Sequence, residues 1–424
     1  MSVAVVGAGL VGLMSAWQLR LTGHQVTVIA PDVARDATYA AAGMLAPISE
    51  VQHGQDRLYP IMTAARAEYP DVLATLGQAV DTATGHRGNG TILLAGDRSD
   101  RDAVADLVSV QQAHGMDVAP MTSSQLRHRE PALAPGVSKG WDVPSDHQVD
   151  PRQLADCVVA ALGAELDPEH FPQAGPPVSW VTAQVTAVHV AEPGASADTQ
   201  LILDDGVQQS EYTAEKVLLV PGLGYTDITG LTEAAPLELR PIHGEVLRLR
   251  VRPHQLLPGE EHVLNATVRA KVGGRSVYLV PRGDGGLVIG ASSREDGFAG
   301  THAGAVQELL DDAVAVLPAV KEMELQEITT RARPGTPDDI PYLGRIPGAA
   351  DVVVSTGYSR HGILLAPLAA RLAATLLSSP EDTAALGAAD HRMLEHMSPQ
   401  RSGNDRPAAE RSTQAGTDTT RSGV

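Results

Sequence analysis

Three glycines near the start of the chain, Gly7, Gly9 and Gly12, stand in the spacing G-x-G-x-x-G. That spacing suits a pyrophosphate. The first glycine permits a tight turn, the second lets backbone amides close on the phosphates, and the third lets a helix pack against the preceding strand. Leu10 and Val11 open that helix, whose first N–H groups point at the anion. A carboxylate commonly meets the ribose hydroxyls at the end of the next strand. Here that strand (HQVTVI) is followed by Ala30, and the nearest acid is Asp32. Asp32 could reach from two positions later, or a water or a backbone group could serve. Two more stretches have the same character. Lys216 to Val220 is an apolar run that stops at Pro221-Gly222-Leu223-Gly224, where backbone can pass close to a ligand. Asp351 to Thr356 runs into Gly357-Tyr358-Ser359-Arg360-His361-Gly362 and then an apolar helix, whose N-terminus suits partial negative charge.

The elements around these turns alternate between two patterns. Val3 to Val6, Lys216 to Val220 and Asp351 to Thr356 are continuous apolar runs, as strands covered on both faces are. Helices are expected over Leu10 to Leu21, Gln153 to Gly163 and Ile363 to Leu377. Pro60 to Val80 has helical spacing, with Pro70 expected to kink or split it. Between these lie strands with polar alternation and tight turns: Gly90 to Ala95, Gly244 to Val251, Ser276 to Pro281 and Gly286 to Gly290, then a helix over Ala303 to Leu317. Thr329 to Pro337 (TTRARPGTP) reads as a turn-rich, arginine-rich segment. Ala40 to Gly43, with Ala41 and Ala42, are small residues suited to packing against something flat or bulky.

The pattern predicts an α/β (α+β) protein of two domains. A discontinuous Rossmann-like nucleotide domain takes residues 1–50, 145–238 and 328–390. An antiparallel-sheet substrate domain takes 51–144 and 239–327, and a polar tail, 398–424, is expected to be disordered. With 424 residues and 43% hydrophobic content the chain can bury two cores. A net charge of −19 argues against nucleic acid or an anionic membrane surface. No 18-residue apolar run and no basic leader is present, so the expected setting is cytoplasmic. The single cysteine, Cys157, excludes a disulfide framework and a cysteine metal site, and no metal is expected. A homo-oligomer is compatible with these features. With one dinucleotide fingerprint and no second, a single held FAD fits better than a pyridine-nucleotide enzyme.

Several separated motifs coincide: VVGAGLVGL, AAAGMLAPISE, DHQVDP, RPIHGEV, VYLVPR with GLVIGAS, ARPGTPDDIPYLG and GILLAP. Together they resemble the glycine oxidase branch of the D-amino-acid-oxidase-like flavoenzymes, over residues 3 to about 378. The resemblance implies non-covalent FAD, an amino acid substrate and O2. Hydride passes from the substrate α-carbon to flavin N5, the imine hydrolyses, and peroxide is released. It implies that Arg333 holds the substrate carboxylate and also borders the flavin, that Tyr278 supports that carboxylate, and that Arg360 stands beside the pocket. A guanidinium fork fixes angle as well as distance, which suits a reaction that depends on positioning. Met44 and Glu50 are implied to line flavin and pocket entrance. His361 and the amides of Gly362, Ile363 and Leu364 are implied to face the flavin edge where negative charge builds.

The chain departs from that pattern in small residues. Ser276 stands where glycine oxidases commonly have a histidine, Ser359 where they have an aromatic, and Ser293 where some have a methionine. The expected substrate is therefore an N-substituted glycine, such as an N-carboxymethyl β-amino acid of natural-product type. It would carry either two carboxylates or one carboxylate and an alkyl chain. A second carboxylate would need another cation, with Arg360 or His243 as candidates. The alternatives are a glycine oxidase of thiamine synthesis and a D-amino acid oxidase or dehydrogenase.

Overall fold

The computed structural model describes residues 1–401 apart from 138, 191–197, 232–234 and 257–258. A six-stranded sheet runs in the order Tyr342–Ile346, Ala349–Thr356, Lys216–Leu219, Ser2–Ala8, Gln25–Val33, Ser179–Val181. All neighbours are parallel except the edge strand Tyr342–Ile346. The apolar runs are continuous because both faces are covered. Val3, Val5, Val26, Val28, Leu218 and Val353 face the helices, while Ala4, Val6, Ile29, Val217, Leu219 and Val354 face a small antiparallel sheet. The helices on the first face are Leu10–Leu21, Leu58–Ala79, Pro151–Gly163 and Gly362–Leu377. The small sheet is Gln184–His189, Thr199–Asp204 and Gln209–Ala214.

The second sheet has eight strands, in the order Glu324–Gly335, Arg240–Arg250, Gly286–Gly290, Arg275–Pro281, Thr267–Val272, Thr91–Ala95, Gly140–Val143, Ala119–Met121. It is antiparallel except where Thr267–Val272 and Thr91–Ala95 pair in parallel. One face packs Leu247, Leu279 and Ile289 against the helix Ala303–Val316. The other places Val246, Val280 and Val288 against Ala42, and this is the side that meets the nucleotide-binding layer.

Four expectations are revised by these contacts. Leu58–Ala79 is one helix through Pro70, because Tyr69 and Leu76 are buried on its inner face and the Tyr69 hydroxyl donates to the Ile363 carbonyl. Tertiary packing outweighs the missing N–H. That helix belongs to the core around the six-stranded sheet, although its sequence lies in the segment expected for the substrate domain. The segment TTRARPGTP is strand as far as Gly335, paired along Arg240–Arg250, so the expected boundary at 327/328 falls inside a strand. The tail is docked through Arg401, which pairs with Asp338 at 2.9 Å and stacks 3.9 Å from the Tyr342 ring centroid; residues 402–424 lie outside the described residues. Among the described residues no helix is long and apolar enough to cross a membrane.

Candidate active site

A cavity of about 1370 Å³ runs between the two sheets, from the glycine turn and Asp32 at one end to Tyr278 and Arg333 at the other. That exceeds the ~300–1,000 Å³ typical of a single small-ligand pocket. At the first end Gly7 has φ +109°, and a Cβ there would sit 2.4 Å from the Val220 carbonyl oxygen. A Cβ on Gly12 would sit 2.1 Å from the Gly7 carbonyl oxygen, so the helix could not close on the strand. Gly9 meets only Thr38 Oγ1, at 3.7 Å, which leaves its outer side open to a ligand. The Leu10 N–H donates to Thr38 Oγ1 at 3.0 Å, a partner the sequence reading missed; Val11 and Gly12 line the cavity with the amides of the first turn. Asp32 is exposed on the cavity wall, and its strand extends to Val33, so it lies on the strand rather than beyond it. Gly222, with φ +60°, lines the same wall, and its carbonyl accepts from Thr356 Oγ1 at 2.9 Å.

The middle of the cavity is the small-residue segment Ala41, Ala42, Gly43 and Met44. Two arginines hold its backbone. Arg248 Nη2 donates to the carbonyls of Tyr39 at 3.1 Å and Ala41 at 3.3 Å. Arg282 donates to the Ala42 carbonyl, to that of Val149 at 2.8 Å and to Gln148 Oε1 at 2.9 Å. Burial lowers the pKa of both, that of Arg282 to about 10. Gly43 (φ +75°) is required because a Cβ would meet the Val149 carbonyl at 2.1 Å. Its role is therefore to seat the segment against its neighbour. Sequence reasoning had no signal for Arg248 or Arg282, since an arginine on an alternating strand reads as a solvated one.

At the far end the alternation of the strands decides which residues meet. Tyr278 pairs across to Arg269 on one side and Gly290 on the other. Arg333, on Glu324–Gly335, lies over Gly244 and donates to the Ser292 carbonyl at 3.4 Å, with no carboxylate partner among the described residues. Burial raises the Tyr278 pKa and the Arg333 charge opposes it, so the phenol stays neutral and can donate. Ser276, Ser293 and Ser359 all line the cavity; Ser359 has φ +48°, and its N–H donates to the Pro334 carbonyl at 2.9 Å.

Glu50 forms the centre of a charged cluster. Arg269 Nη1 donates to Glu50 Oε1 at 2.7 Å and lies 3.6 Å from Met44 Sδ. His361 Nδ1 lies 3.4 Å from Glu50 Oε2, a polar contact too long to be a good hydrogen bond. Arg360 donates through Nη2 to the Glu50 carbonyl at 3.2 Å and through Nε to His361 Nε2 at 3.1 Å. Burial alone would raise the Glu50 pKa, but Arg269, His361 and Arg360 hold it down to about 2. Burial lowers the pKa of His361, with Glu50 opposing. Arg269 was missed by the sequence reading because it sits in an ordinary alternating strand.

Three expected residues, His243, Leu364 and His361, do not reach the cavity wall. Ile242, Gly244 and Val246 line it, so His243 lies on the opposite face, where its backbone pairs with Arg294. The period of two that puts Gly244 beside Arg333 turns His243 away. The Leu364 side chain is in the core, and only its backbone N–H, in the first turn of Gly362–Leu377, can serve the site. His361 is likewise behind the wall, 1% exposed, in contact with Glu50 and Arg360. Ile363 and Gly362 line the cavity. The open side of Gly9, the two helix N-termini on one channel and the Ala41–Met44 wall are suited to FAD, and these residues would hold it.

The family profile described as "DAO: FAD dependent oxidoreductase" matches residues 2–376. Among curated proteins the chain is 30% identical over 383 residues to "Bifunctional protein ThiO/ThiG" of Trichormus variabilis, covering 88% of this chain and 52% of that one. The chain thus spans about half the length of these first relatives. It is 28% identical over 385 residues to "Glycine oxidase" of Geobacillus kaustophilus, covering 89% and 93%. Among solved structures, the crystal structure of glycine oxidase from Geobacillus kaustophilus superposes with a TM-score of 0.74 at 28% identity, covering 88% of this chain and 94% of that one.

Proposed function

The chain belongs to the FAD dependent oxidoreductase family, and on that premise we propose that it oxidises the glycyl carbon of an N-substituted glycine, such as an N-carboxymethyl β-amino acid. FAD is the cofactor of this family, and when bound it accepts the hydride from the substrate and passes the electrons to O2. The balance is R–NH–CH2–COO⁻ + O2 + H2O giving R–NH2, glyoxylate and H2O2. The C–N bond to the glycyl carbon is cleaved by water after that carbon has been oxidised.

The observation that carries this reading is Arg333, a guanidinium at the end of the cavity with no carboxylate partner among the described residues and beside the neutral Tyr278. Arg333 would fork onto the glycyl carboxylate and Tyr278 would donate a further hydrogen bond, fixing the CH2 group. Glu50, ionised and tied to Arg269, cannot compete as an acid at neutral pH; it keeps Arg360 and His361 in place. Serines at 276, 293 and 359 leave room for the N-substituent. Each methylene buried there would add about 0.8 kcal/mol, so a short alkyl group could favour such a substrate over glycine by an order of magnitude or more.

A second reading, oxidation of glycine itself, is favoured by the names of the similar proteins from Geobacillus kaustophilus. The two separate in one assay. The purified holoprotein is given glycine, sarcosine, D-alanine and a series of N-carboxymethyl amino acids, and glyoxylate and peroxide are measured. Higher kcat/KM for the N-substituted compounds supports the proposal. Glycine as the best substrate, with no flavin bleaching by the larger compounds, replaces it with the second reading.

A further inference from the structure

The strand Thr267–Val272 carries a second pair of cations into the cavity. Arg269 and Lys271 are two residues apart and so on one face of the sheet. Directly across the pairing, Arg269 faces Tyr278 and Lys271 faces Ser276. All four line the cavity. Arg269 commits one nitrogen to Glu50, and neither its other nitrogens nor the Lys271 ammonium has a hydrogen bond or ion pair to another described residue.

The charge balance of this end is unusual for a chain of net charge −19. Around Tyr278 stand Arg269, Lys271, Arg333 and Arg360, against the carboxylates Glu50 and Asp339. That is a surplus of two positive charges. Arg240, also on the wall, is matched by Glu295 at 3.3 Å, and the exposed carboxylate Asp106 stands at the rim, 3.2 Å from the His53 imidazole. One surplus charge is met by the glycyl carboxylate on Arg333. The other lies one strand step beyond Tyr278, about 7 Å along the strand direction, beside the opening left by Ser276.

We propose that Lys271 and Arg269, with the Ser276 hydroxyl across from them, form a second anion subsite, so that the N-substituent of the substrate carries its own carboxylate. This inference rests on the N-substituted glycine reading above. It selects the dicarboxylic secondary amine over the alkyl one. It also replaces His243, which faces away, as the source of the second cation. Arg269 is a positioning residue for Glu50 as well, so Lys271 is the cleaner residue to vary.

The test compares two compounds of equal size, N-(2-carboxyethyl)glycine and its distal amide N-(2-carbamoylethyl)glycine, on the full-length holoprotein. Glyoxylate release gives kcat/KM for each. The expected carboxylate-to-amide ratio is above about tenfold in the native chain, falls about two- to fivefold in Lys271→Gln, as for a half-exposed ion pair, falls further in Lys271→Glu, and returns in Lys271→Arg. The change should appear mainly in KM. Turnover of both compounds at a ratio near one, or a ratio unmoved by Lys271→Gln and Lys271→Glu, overturns the subsite while leaving the N-substituted glycine reading intact. Turnover of glycine with neither compound bleaching the flavin overturns that reading and the subsite with it.

Discussion

Replacing Arg333 by alanine separates substrate binding from everything else the cavity does. Among the described residues its guanidinium makes one hydrogen bond, to the Ser292 carbonyl at 3.4 Å, and Gly244 beneath it has no side chain to lose contact with. Folding should therefore change little, with a melting temperature within a degree or two of the native protein. Turnover should not. Removing the guanidinium partner of a desolvated carboxylate costs about 2–5 kcal/mol, which is roughly 30- to 5,000-fold in kcat/KM. Arg333 is half-buried and Tyr278 shares the load, so the lower part of that range, about 30- to 500-fold, is expected. Arg333→Lys keeps the charge but loses the fork and should recover only a fraction. The assay is steady-state glyoxylate release beside the flavin-to-protein absorbance ratio and a thermal melt. Near-native kcat/KM in Arg333→Ala would refute the assignment and move the carboxylate to Arg360 or Arg269. A parallel loss of flavin would place Arg333 against the cofactor instead.

Gly12→Ala should abolish stable FAD retention, since its Cβ would sit 2.1 Å from the Gly7 carbonyl oxygen; a normal flavin content after gel filtration would show that the turn can open. Stability should also depend on pH in two opposing ways. Glu50, held down to about 2, stabilises the fold above its unfolded pKa of about 4.5, and that contribution is lost as pH falls from there towards 2. Glu130 and Asp146 are pushed up by burial, to about 7 and about 6, so each penalises the fold as pH rises from about 4 through those values. The melting temperature should therefore be higher near pH 5 than at pH 8 and should drop again below pH 4; a flat profile between 5 and 8 would count against both buried acids. Arg401→Ala should lower unfolding free energy by roughly 1–2 kcal/mol, because it removes a pair with Asp338, hydrogen bonds to the carbonyls of Ile340 and Pro341 and a stack on Tyr342; an unchanged urea midpoint would mean that this docking contributes nothing.

What could be read directly from the chain was whatever has a local cause. Gly7, Gly9 and Gly12 imply a strand, a turn and a helix because their spacing, and the contact of Gly12 with the Gly7 carbonyl, lie within six residues. The apolar runs at Val3, Lys216 and Asp351 imply strands buried on both faces, and they are found on neighbouring strands of one parallel sheet. Arg333 and Tyr278 were legible through the motifs ARPGT and VYLVP, and the fold brings both to one cavity end. The tertiary structure alone decided which faces turn inward. It sent His243 behind the wall and Arg269 and Lys271 through it, because strand register, set by pairing partners far away in sequence, fixes which alternate residues face the cavity. It carried the helix Leu58–Ala79 unbroken through Pro70, with Tyr69 and Leu76 buried on its inner face. It gave Glu50 its low pKa, which no neighbour in sequence explains: Arg269, Arg360 and His361 arrive from positions more than two hundred residues away, and only their convergence in a buried place outweighs the cost of burying the charge.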